Sequence, residues 1–314
     1  MTNTAPYGVL MEVPFLLFLV CQATTILSAL GGGLVRWIAL RRSILDVPTD
    51  RSMHEVPMPR GGGAAMAVVS MVALIFLHLA RPELLSARWM IAVVGGGIAT
   101  AVIGWLDDCY SLGAGRRFLV HIAAGAWACW WLVPTGSPIW MSLFGVFWIA
   151  WAINFFNFMD GIDGLAGGEA VMVGLTGGYL AGRLGLLAPQ SIAWVTAAAA
   201  LGFLFWNWPP AKLFMGDAGS GYLGYVFGCL CIGSGMSFQG GFGTWALLLA
   251  MFWIDTTVTL LRRILKGERF WEAHRQHFYQ RAVQNGFSHL EVVWFYSVGN
   301  LLLSILTFYL TRTW

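Results

Sequence analysis

The chain has 314 residues, of which 58% are hydrophobic and only 11% are charged, and its formal net charge is +3. Its mean hydropathy is +0.70, and because a soluble domain carries about 25% charged residues, this composition excludes a soluble globular protein. A membrane β-barrel is also excluded, since its strands alternate apolar and polar residues whereas the apolar segments here are continuous. The composition therefore predicts an all-α polytopic membrane protein.

Ten apolar segments are long enough to cross a bilayer, which takes roughly 20 residues each. The first begins after Glu12 rather than after a basic stretch and exceeds the length of a signal-peptide core, so we expect it to remain as a span. No internal repeat or large polar region is visible, which predicts one integral membrane domain over 1–314. The predicted spans lie near 13–35, 62–80, 89–106, 118–133, 138–156, 166–183, 190–206, 219–236, 243–261 and 291–311.

Basic residues are concentrated on alternate loops. Since cytoplasmic loops are enriched in Lys and Arg, both termini are predicted outside a cell (inner or plasma) membrane. The cytoplasmic loops are then near 36–61, 107–117, 157–165, 207–218 and 262–290, and these hold every Lys and Arg except Arg81, Arg88, Arg183 and Arg312.

Scattered cysteines provide no recognisable site. Cys21, Cys109, Cys129, Cys229 and Cys231 have neither zinc-site nor disulfide-framework spacing. We interpret them as small packing residues.

Two adjacent carboxylates, Asp107 and Asp108, end the third predicted span. Neighbouring carboxylates repel unless a cation lies between them or one is protonated, and a helix C-terminus disfavours negative charge. The pair predicts a metal- or phosphate-handling site, with a solvated pair at a helix end as the alternative.

Asn157, Asp160 and Asp163 follow at intervals of three residues, with Gly161 and Gly164 between and after them. The glycines indicate that the helix gives way to a turn that lets backbone approach a ligand. Oxygen donors on such a turn suit Mg²⁺ or a nucleotide, although the spacing and the missing Glu exclude an EF-hand. An Asx-rich loop is the alternative.

The segment 207–221 combines Asn207, two prolines, Lys212, Asp217 and Ser220. Backbone N–H groups at a helix N-terminus bind phosphate, Asp217 could hold a metal bridging to that phosphate, and Lys212 could meet a diphosphate as a point charge. The Walker A order is absent. The alternative is that Asp217 caps the eighth span.

The last inner loop contains His274, Arg275, His277 and Arg281. Arginine forks match phosphate and a protonated His adds charge, so we predict an anion-binding segment. A basic loop attracted to anionic lipid is the alternative.

Five further residues have lesser predicted roles. His54 and Arg60 bracket the first long loop and are predicted lid residues, while His78 and His121 are interpreted as packing residues. Asp255, deep in the ninth span, is expected to pair with a basic residue or to line the cavity.

At these residues the sequence resembles the polyprenyl-phosphate N-acetylhexosamine-1-phosphate transferases, the MraY–WecA type of glycosyltransferase family 4. The matches occur in family order over roughly residues 46–281. They are Asp107-Asp108, Asn157-Phe-Met-Asp160-Gly-Ile-Asp163-Gly-Leu-Ala, Phe214-Met-Gly-Asp217-Ala-Gly-Ser220 and the loop from His274 to His277.

The resemblance implies ten transmembrane helices with a cytoplasmic active site. It implies transfer of a sugar-1-phosphate from a UDP-activated N-acetylhexosamine to undecaprenyl phosphate, with release of UMP and with Mg²⁺, or Mn²⁺, as cofactor. Membrane lipid is a further expected partner, nucleic acid is not expected, and a homodimer is left open.

By position, the resemblance also assigns the site residues. Asp217 is the expected metal ligand, with Asp107 and Asn157 as further ligand candidates. The expected catalytic residues are Asp107, Asp108, Asn157, Asp160, His274, Arg275 and His277, and the expected substrate-binding residues are Asp163, Asn207, Lys212, Arg60, Gly161, Ser220 and Arg281. Among these, Asp163 and Asn207 resemble uridine-side contacts.

One motif departs from part of the family. Enzymes of cell-wall precursor synthesis carry a compact triple-His motif in the last loop, whereas this chain has His274-Arg-Gln-His277. The chain therefore looks closer to members that initiate O-antigen or other surface polysaccharides, in lipopolysaccharide biosynthesis or cell wall biogenesis. A plain UDP-N-acetylhexosamine or a deoxy derivative is favoured over a muramyl-pentapeptide donor.

Two mechanisms and two other protein classes remain open from sequence. The lipid phosphate could attack the β-phosphorus directly, aided by Asp107 or Asp108, or one of these residues could form a covalent phosphosugar. A nucleotide-sugar or lipid-linked transporter has the same composition, but its site would lie near the membrane midplane. A CDP-alcohol phosphatidyltransferase would place its acidic residues in one compact run.

Overall fold

A computed structural model describes residues 7–42, 44–46, 48, 56–237, 240–269 and 274–312, with side chains from residue 15 onward. His54, a predicted lid residue, lies outside the described residues. Within them the chain is almost entirely helical.

The described residues form twelve helices and one short ladder. The helices are α1 (Tyr7–Arg42), α2 (Gly62–Ala80), α3 (Ala87–Tyr110), α4 (Ala114–Leu132), α5 (Ile139–Met159), α6 (Leu165–Arg183), α7 (Leu187–Asn207), α8 (Asp217–Ser237), α9 (Gly241–Leu248), α10 (Ala250–Leu265), α11 (Phe278–Gln284) and α12 (His289–Thr311). The ladder pairs β1 (Leu45–Asp46) antiparallel with β2 (Met58–Pro59).

The predicted spans all coincide with helices, and the all-α polytopic class is confirmed. Six helices, α1, α2, α3, α5, α7 and α12, are long and apolar enough to cross a membrane, and the pair α9–α10, bent by 75°, would be a seventh. The ninth predicted span is thus broken, and α11 is an additional helix inside the last inner loop. The count of ten spans stays a prediction.

Helix α8 is not among the helices that are apolar enough to count as a span, although it lies at the centre of the bundle. It is surrounded by α2, α3, α4, α5, α7 and α9, and its residues from Ala218 to Ser234 are all buried. A helix enclosed by protein needs small residues for close packing rather than side chains suited to lipid. Its glycines therefore lower its hydropathy without arguing against a central position.

Two close helix contacts fix the position of α8. A Cβ on Gly63 of α2 would collide with the backbone of Gly219, and a Cβ on Gly104 of α3 would collide with the backbone of Asp217. Small residues allow such backbone contact between helices. The start of α8 is consequently held against the end of α3 and the start of α2.

Glu169 of α6 and Asn300 of α12 form a polar pair in the interior. The two residues are 2% and 3% exposed. Asn300 Nδ2 donates to Glu169 Oε2, while Glu169 Oε1 and Asn300 Oδ1 have no partner among the described residues. Because a carboxylate at this depth is expensive, we expect Glu169 to be protonated and to donate from Oε1 to Oδ1.

This pairing gives a stability prediction. Glu169→Gln should leave the melting temperature in detergent nearly unchanged, since an amide can make the same two hydrogen bonds with Asn300. Asn300→Leu should lower the free energy of unfolding by about 1–3 kcal/mol, because it leaves a buried acid unpaired. Equal destabilisation by both substitutions would show that Glu169 is ionised.

Candidate active site

Seven helix ends meet at one end of the bundle. Hydrogen bonds and ion pairs connect the C-terminal ends of α3, α5 and α7 with the N-terminal ends of α2, α4, α6 and α8. Three of the four predicted motifs therefore lie together, although they are separated by up to about a hundred residues in sequence.

The centre of this region is the acidic cluster, which consists of Asp107, Asp108 and Asp217. Arg117 Nη1 lies 2.6 Å from Asp107 Oδ2 and 2.7 Å from Asp217 Oδ2. Arg60 Nη2 lies 2.7 Å from Asp108 Oδ1 and 2.9 Å from Asp217 Oδ1. Two guanidinium groups thus bridge three carboxylates, which leaves one formal negative charge unbalanced.

Arg60 is positioned by backbone pairing. Phe214 N donates to Pro59 O at 2.8 Å, and Gly62 N and Gly63 N donate to Phe214 O and Met215 O at 3.0 and 2.9 Å. These bonds hold the start of α2 beside the loop that precedes α8. The predicted lid residue Arg60 therefore lies beside the acidic cluster. Burial alone would lower the pKa of Arg60, but the charges of Asp108 and Asp217 outweigh it and raise that pKa.

Asp108, rather than Asp217, caps α8. Asp108 accepts from Asp217 N at 3.0 Å and from Ala218 N at 3.5 Å, and a carboxylate at a helix N-terminus is favoured by the exposed N–H groups and the helix dipole. The capping alternative for Asp217 is thus wrong, and its carboxylate faces the two arginines. The predicted use of the α8 N–H groups for phosphate stays a prediction, and two of these groups, Asp217 N and Ala218 N, are bonded to Asp108 here.

Gly216 is required by this arrangement. Its φ is +78°, and a Cβ there would lie 2.5 Å from Asp108 Oδ2. A residue with a side chain would be strained in this conformation and would displace the carboxylate that caps α8.

Gly216→Ala is therefore expected to misplace the acidic cluster. We expect a loss of activity on the order of 100-fold, the effect of about 1 Å of misplacement, with backbone strain of about 1–3 kcal/mol. Gly113→Ala is the matched control, because a Cβ at Gly113 meets nothing within 4 Å. Turnover and melting temperature are measured for both variants, and equal effects would contradict the assignment.

A polar cleft of about 180 Å³, called the cleft below, opens beside the acidic cluster. Asp160 lies in it, and burial, followed by the nearby charge of Asp217, raises the pKa of Asp160 well above its usual range. Asp163 Oδ2 accepts from Ala211 N at 2.9 Å and lies 3.3 Å from His289 Nδ1. The residues lining the cleft are Asp46, Arg60, Asn157, Asp160, Gly161, Ile162, Asp163, Asn207, Phe214, Met215, Gly216, Asp217, Gln280 and His289.

Two predicted site residues, Asn207 and Ser220, are buried and form hydrogen bonds with the segments that surround the cleft. Asn207 is 3% exposed; it accepts from Gly164 N at 3.0 Å and donates to Leu213 O at 3.1 Å. Ser220 is fully buried and its Oγ lies 3.3 Å from Asn157 Nδ2. Both side chains therefore brace the loops, although Asn207 also lines the cleft. Lys212 is exposed and is not among the lining residues.

The histidine segment, residues 274–277, is not among the residues that line the cleft. His277 is 2% exposed, stacks on Phe158 with ring centres 5.8 Å apart, and has Nδ1 3.5 Å from Asp255 Oδ1. Asp255 also accepts from Phe278 N at 2.9 Å and from Tyr296 Oη at 2.7 Å. Asp255 thus pairs with a basic residue, as one of its two predicted roles required, and anchors α11.

His274 is a poor cation in this arrangement. Burial, then the charges of His277 and Arg263, lower the pKa of His274 to about 4, so it is neutral at pH 7. Arg275 is half-buried. Arg281 lines a separate groove beside α10 and α12. The structure therefore does not bring His274, Arg275, His277 and Arg281 together as one anion site facing the cleft.

Two residues of the region were not predicted as site residues. Arg117 was assigned only to the basic residues of an inner loop, yet it bridges Asp107 and Asp217. Its position one turn into α4, after the short connection from α3, was the available signal. His289 lay at the end of the predicted last inner loop, just before the tenth span, and its sequence neighbourhood offered only the Ser288–Glu291 capping box.

The donor set of the acidic cluster fits a hard divalent cation. Carboxylate oxygens suit Mg²⁺, whereas zinc favours His and Cys, which the cluster lacks. Within the described ranges no three His, Cys, Asp or Glu side chains form a ready metal-binding group. In this structure Arg60 and Arg117 contact the carboxylate oxygens that a cation would use.

Comparison with known proteins agrees with this geometry. Residues 90–235 match the family model described as glycosyl transferase family 4. A probable undecaprenyl-phosphate N-acetylglucosaminyl 1-phosphate transferase of Bacillus subtilis (strain 168) is 31% identical, over 85% of this chain and 77% of that protein. A decaprenyl-phosphate N-acetylglucosaminephosphotransferase of Mycobacterium leprae (strain TN) is 30% identical, over 88% and 79%.

A more distant relative belongs to the muramyl branch. A phospho-N-acetylmuramoyl-pentapeptide-transferase of Gloeothece citriformis (strain PCC 7424) is 26% identical, over 64% of this chain and 60% of that protein. The family match spans the acidic cluster and the loop from Asn157 to Gly164. The chain therefore belongs to glycosyl transferase family 4, in its MraY–WecA type.

Proposed function

We propose that the chain transfers N-acetylhexosamine-1-phosphate from a UDP-sugar to a polyprenyl phosphate, namely undecaprenyl phosphate, and releases UMP. The observation that carries the proposal is the acidic cluster, bridged by Arg60 and Arg117, at the edge of a polar cleft where seven helix ends meet. The names of the relatives, which are phosphosugar transferases acting on polyprenyl phosphates, support the same activity.

The main chemical task is to bring the diphosphate of the donor and the phosphate of the acceptor together, although both are anions. We propose that Asp217, with Asp107 and Asn157 as further ligand candidates, holds Mg²⁺, which Mn²⁺ could replace. Such a cation would supply charge neutralisation at the diphosphate and at the leaving group. With these carboxylates occupied in that way, the guanidinium groups of Arg60 and Arg117 would be available for phosphate oxygens, for which their geometry is suited.

The chemical step is an in-line displacement. An oxygen of the acceptor phosphate attacks the β-phosphorus, the bond from that phosphorus to the bridging oxygen breaks, and UMP leaves with both bond electrons. A phosphate monoester has a second pKa of about 6, so the acceptor is largely ionised at neutral pH. A strong general base is not required, and Asp107 and Asp108 serve chiefly to position the cation and the arginines.

The hydrogen bonds of the acidic pair favour this direct displacement over a covalent phosphosugar. Asp107 accepts from Leu112 N at 2.6 Å and pairs with Arg117, while Asp108 caps α8 and pairs with Arg60. Either carboxylate would have to give up these donors before one of its oxygens could attack a phosphorus, whereas the acceptor phosphate needs no such rearrangement.

The opposite end of the cleft is proposed for the uridine. Asp163, His289 and Gln280 there offer hydrogen-bonding groups beside the backbone of Gly161. Asp160, with its raised pKa, lies between this end and the acidic cluster as a candidate proton-carrying group. Asn207 is proposed to act mainly by fixing the loops on which Asp163 and Lys212 lie.

The sugar is proposed to be a plain N-acetylhexosamine or a deoxy derivative. The chain lacks the triple-His motif of the muramyl branch, and relatives that are 30–31% identical over most of their length carry N-acetylglucosamine names. We further propose that the product initiates an O-antigen or another surface polysaccharide.

The cleft is proposed to open to the cytoplasm. The residues that line the cleft all lie on the loops predicted to be cytoplasmic, and those loops hold most of the chain's Lys and Arg residues, which favour the cytoplasmic side. A transporter would need its site near the midplane, so the position of the cleft at the helix ends favours the transferase.

A panel of donors tests the proposed function. Purified protein in detergent with undecaprenyl phosphate and Mg²⁺ is given UDP-GlcNAc, UDP-GalNAc, a deoxy amino-sugar derivative or UDP-MurNAc-pentapeptide. We expect lipid-linked product and equimolar UMP from at least one of the first three and none from the last. If no donor gives product while vesicles containing the protein take up a UDP-sugar, the transporter is the correct interpretation.

A further inference from the structure

An apolar groove of about 520 Å³ runs between α10 and α12 on the outside of the bundle. Met251, Ile254 and Val258 of α10 form one side, and Phe295 and Leu302 of α12 form the other. Phe295 and Leu302 are 55% and 61% exposed. In a bilayer this surface faces lipid chains rather than water.

The groove ends at a basic rim. Arg262, on the last turn of α10, and Arg281, on α11, both line it together with Gln276. Both arginines are exposed, and within the described part of the chain neither forms an ion pair. Guanidinium groups bind phosphate through paired hydrogen bonds, so this rim is suited to a phosphate that carries apolar chains.

One acid, Asp255, also lines the groove, and its charge is already stabilised. Its Oδ1 accepts from Phe278 N and Thr259 Oγ1, and its Oδ2 accepts from Tyr296 Oη. His277 adds a fourth neighbour at 3.5 Å. The two arginines outnumber this acid, so the rim still favours an anion.

Helix α11 separates the groove from the cleft. Phe278 and Arg281 line the groove, whereas Gln280 lines the cleft and Tyr279 donates to Phe158 O on the side of α5. The two cavities share no lining residue. A phosphate at Arg262 and Arg281 is therefore not at the acidic cluster, which argues against the reacting acceptor as its source.

We propose that this groove binds an anionic glycerophospholipid of the surrounding membrane, with its acyl chains between α10 and α12 and its phosphate at Arg262 and Arg281. A bound lipid would contact Asp255 and Phe278, which anchor the start of α11. It would thereby stabilise the histidine segment from outside the catalytic region. The proposal does not depend on the proposed transferase activity.

Lipid retention measured by native mass spectrometry tests the proposal. The full chain is purified from micelles containing equal amounts of phosphatidylglycerol and phosphatidylcholine, and retained lipids are counted. The wild type should keep phosphatidylglycerol, and R262Q/R281Q should lose this preference by on the order of tenfold, since each basic residue near an anionic surface contributes to binding. R42Q/K266Q, which removes two exposed charges outside the groove, should behave as the wild type.

A second variant tests the apolar part without changing charge. Val258→Trp places a large ring in the groove and should also abolish retention of phosphatidylglycerol. Equal retention in R262Q/R281Q, in Val258→Trp and in the wild type would overturn the proposal. One-for-one displacement of the bound lipid by undecaprenyl phosphate would also overturn it, because the groove would then belong to the acceptor.

Discussion

Asp217→Asn is expected to abolish turnover, with a fall in kcat of at least about 1,000-fold at millimolar Mg²⁺. Asp217 contacts both Arg60 and Arg117, and it begins α8 beside the cleft. Its replacement removes the proposed metal ligand and the charge that orients both arginines, and removal of a single transition-state contact already lowers kcat by about 100–1,000-fold. Turnover is measured as UMP release from a UDP-sugar.

Folding of this variant is expected to survive. Arg60 keeps Asp108 and Arg117 keeps Asp107, so neither guanidinium loses its last carboxylate. Glu83→Gln, which removes an exposed acid paired at 3.7 Å with Arg81, serves as the control for loss of one negative charge. Near-normal turnover in Asp217→Asn, or a shift of melting temperature large enough to explain the loss, would contradict the assignment.

Arg117→Gln should lower kcat/KM by on the order of 100-fold, the effect of removing a charged group that stabilises the transition state. Arg117 holds Asp107 and Asp217 together in the present arrangement, and we propose that it binds donor phosphate when a cation takes those carboxylates. Arg117→Lys should recover only part of the activity, because one ammonium nitrogen can replace the bridge made by Nη1 but cannot bind the donor phosphate through a planar fork.

The neighbouring residue gives a matched control. Arg116 is exposed, so Arg116→Gln removes the same charge from the same turn of α4 without touching the acidic cluster. We expect this variant to stay within about twofold of the wild type, in line with the small effect of exposed charges. If both glutamine variants lose activity equally, the basic charge of the loop matters rather than the specific bridge.

The acidic residues of the site could be predicted because their environment is unusual in sequence. Asp107, Asp108 and Asp217 interrupt apolar segments, and a carboxylate at membrane depth is rarely accidental. Loop order and the distribution of basic residues then placed them at the same end of the bundle. The structure places these three carboxylates around two shared arginines, although their catalytic roles remain predictions.

The partners of these acids could not be predicted in the same way. Arg117 looked like any basic loop residue, since only the hairpin of α3 and α4 directs it back toward Asp107. Likewise, Asp108 caps α8 from another helix, a contact between residues more than a hundred positions apart that no local pattern encodes. Sequence reasoning offered Asp217 for that cap, as the alternative to a metal ligand, because capping is usually local.

The ninth span and the histidine segment show a second limit. The break between α9 and α10 falls at Leu249, where neither Pro nor Gly signals it, so packing rather than local propensity determines the 75° bend. The bend brings Asp255 to the start of α11. As a result His277 is buried against Phe158 instead of facing the cleft as an exposed anion-binding residue.

The most direct test of the central claim follows the β-phosphate of the donor. Purified protein, undecaprenyl phosphate and UDP-GlcNAc, or another donor accepted in the panel, are incubated with the label on the β-phosphorus, with Mg²⁺ or with a chelator. Transfer of sugar-1-phosphate at the acidic cluster predicts that the label enters the lipid fraction with equimolar UMP, only with acceptor and Mg²⁺, and not in Asp217→Asn. Label remaining in water-soluble UDP while sugar enters the lipid, or lipid labelling unchanged in Asp217→Asn, would contradict the account.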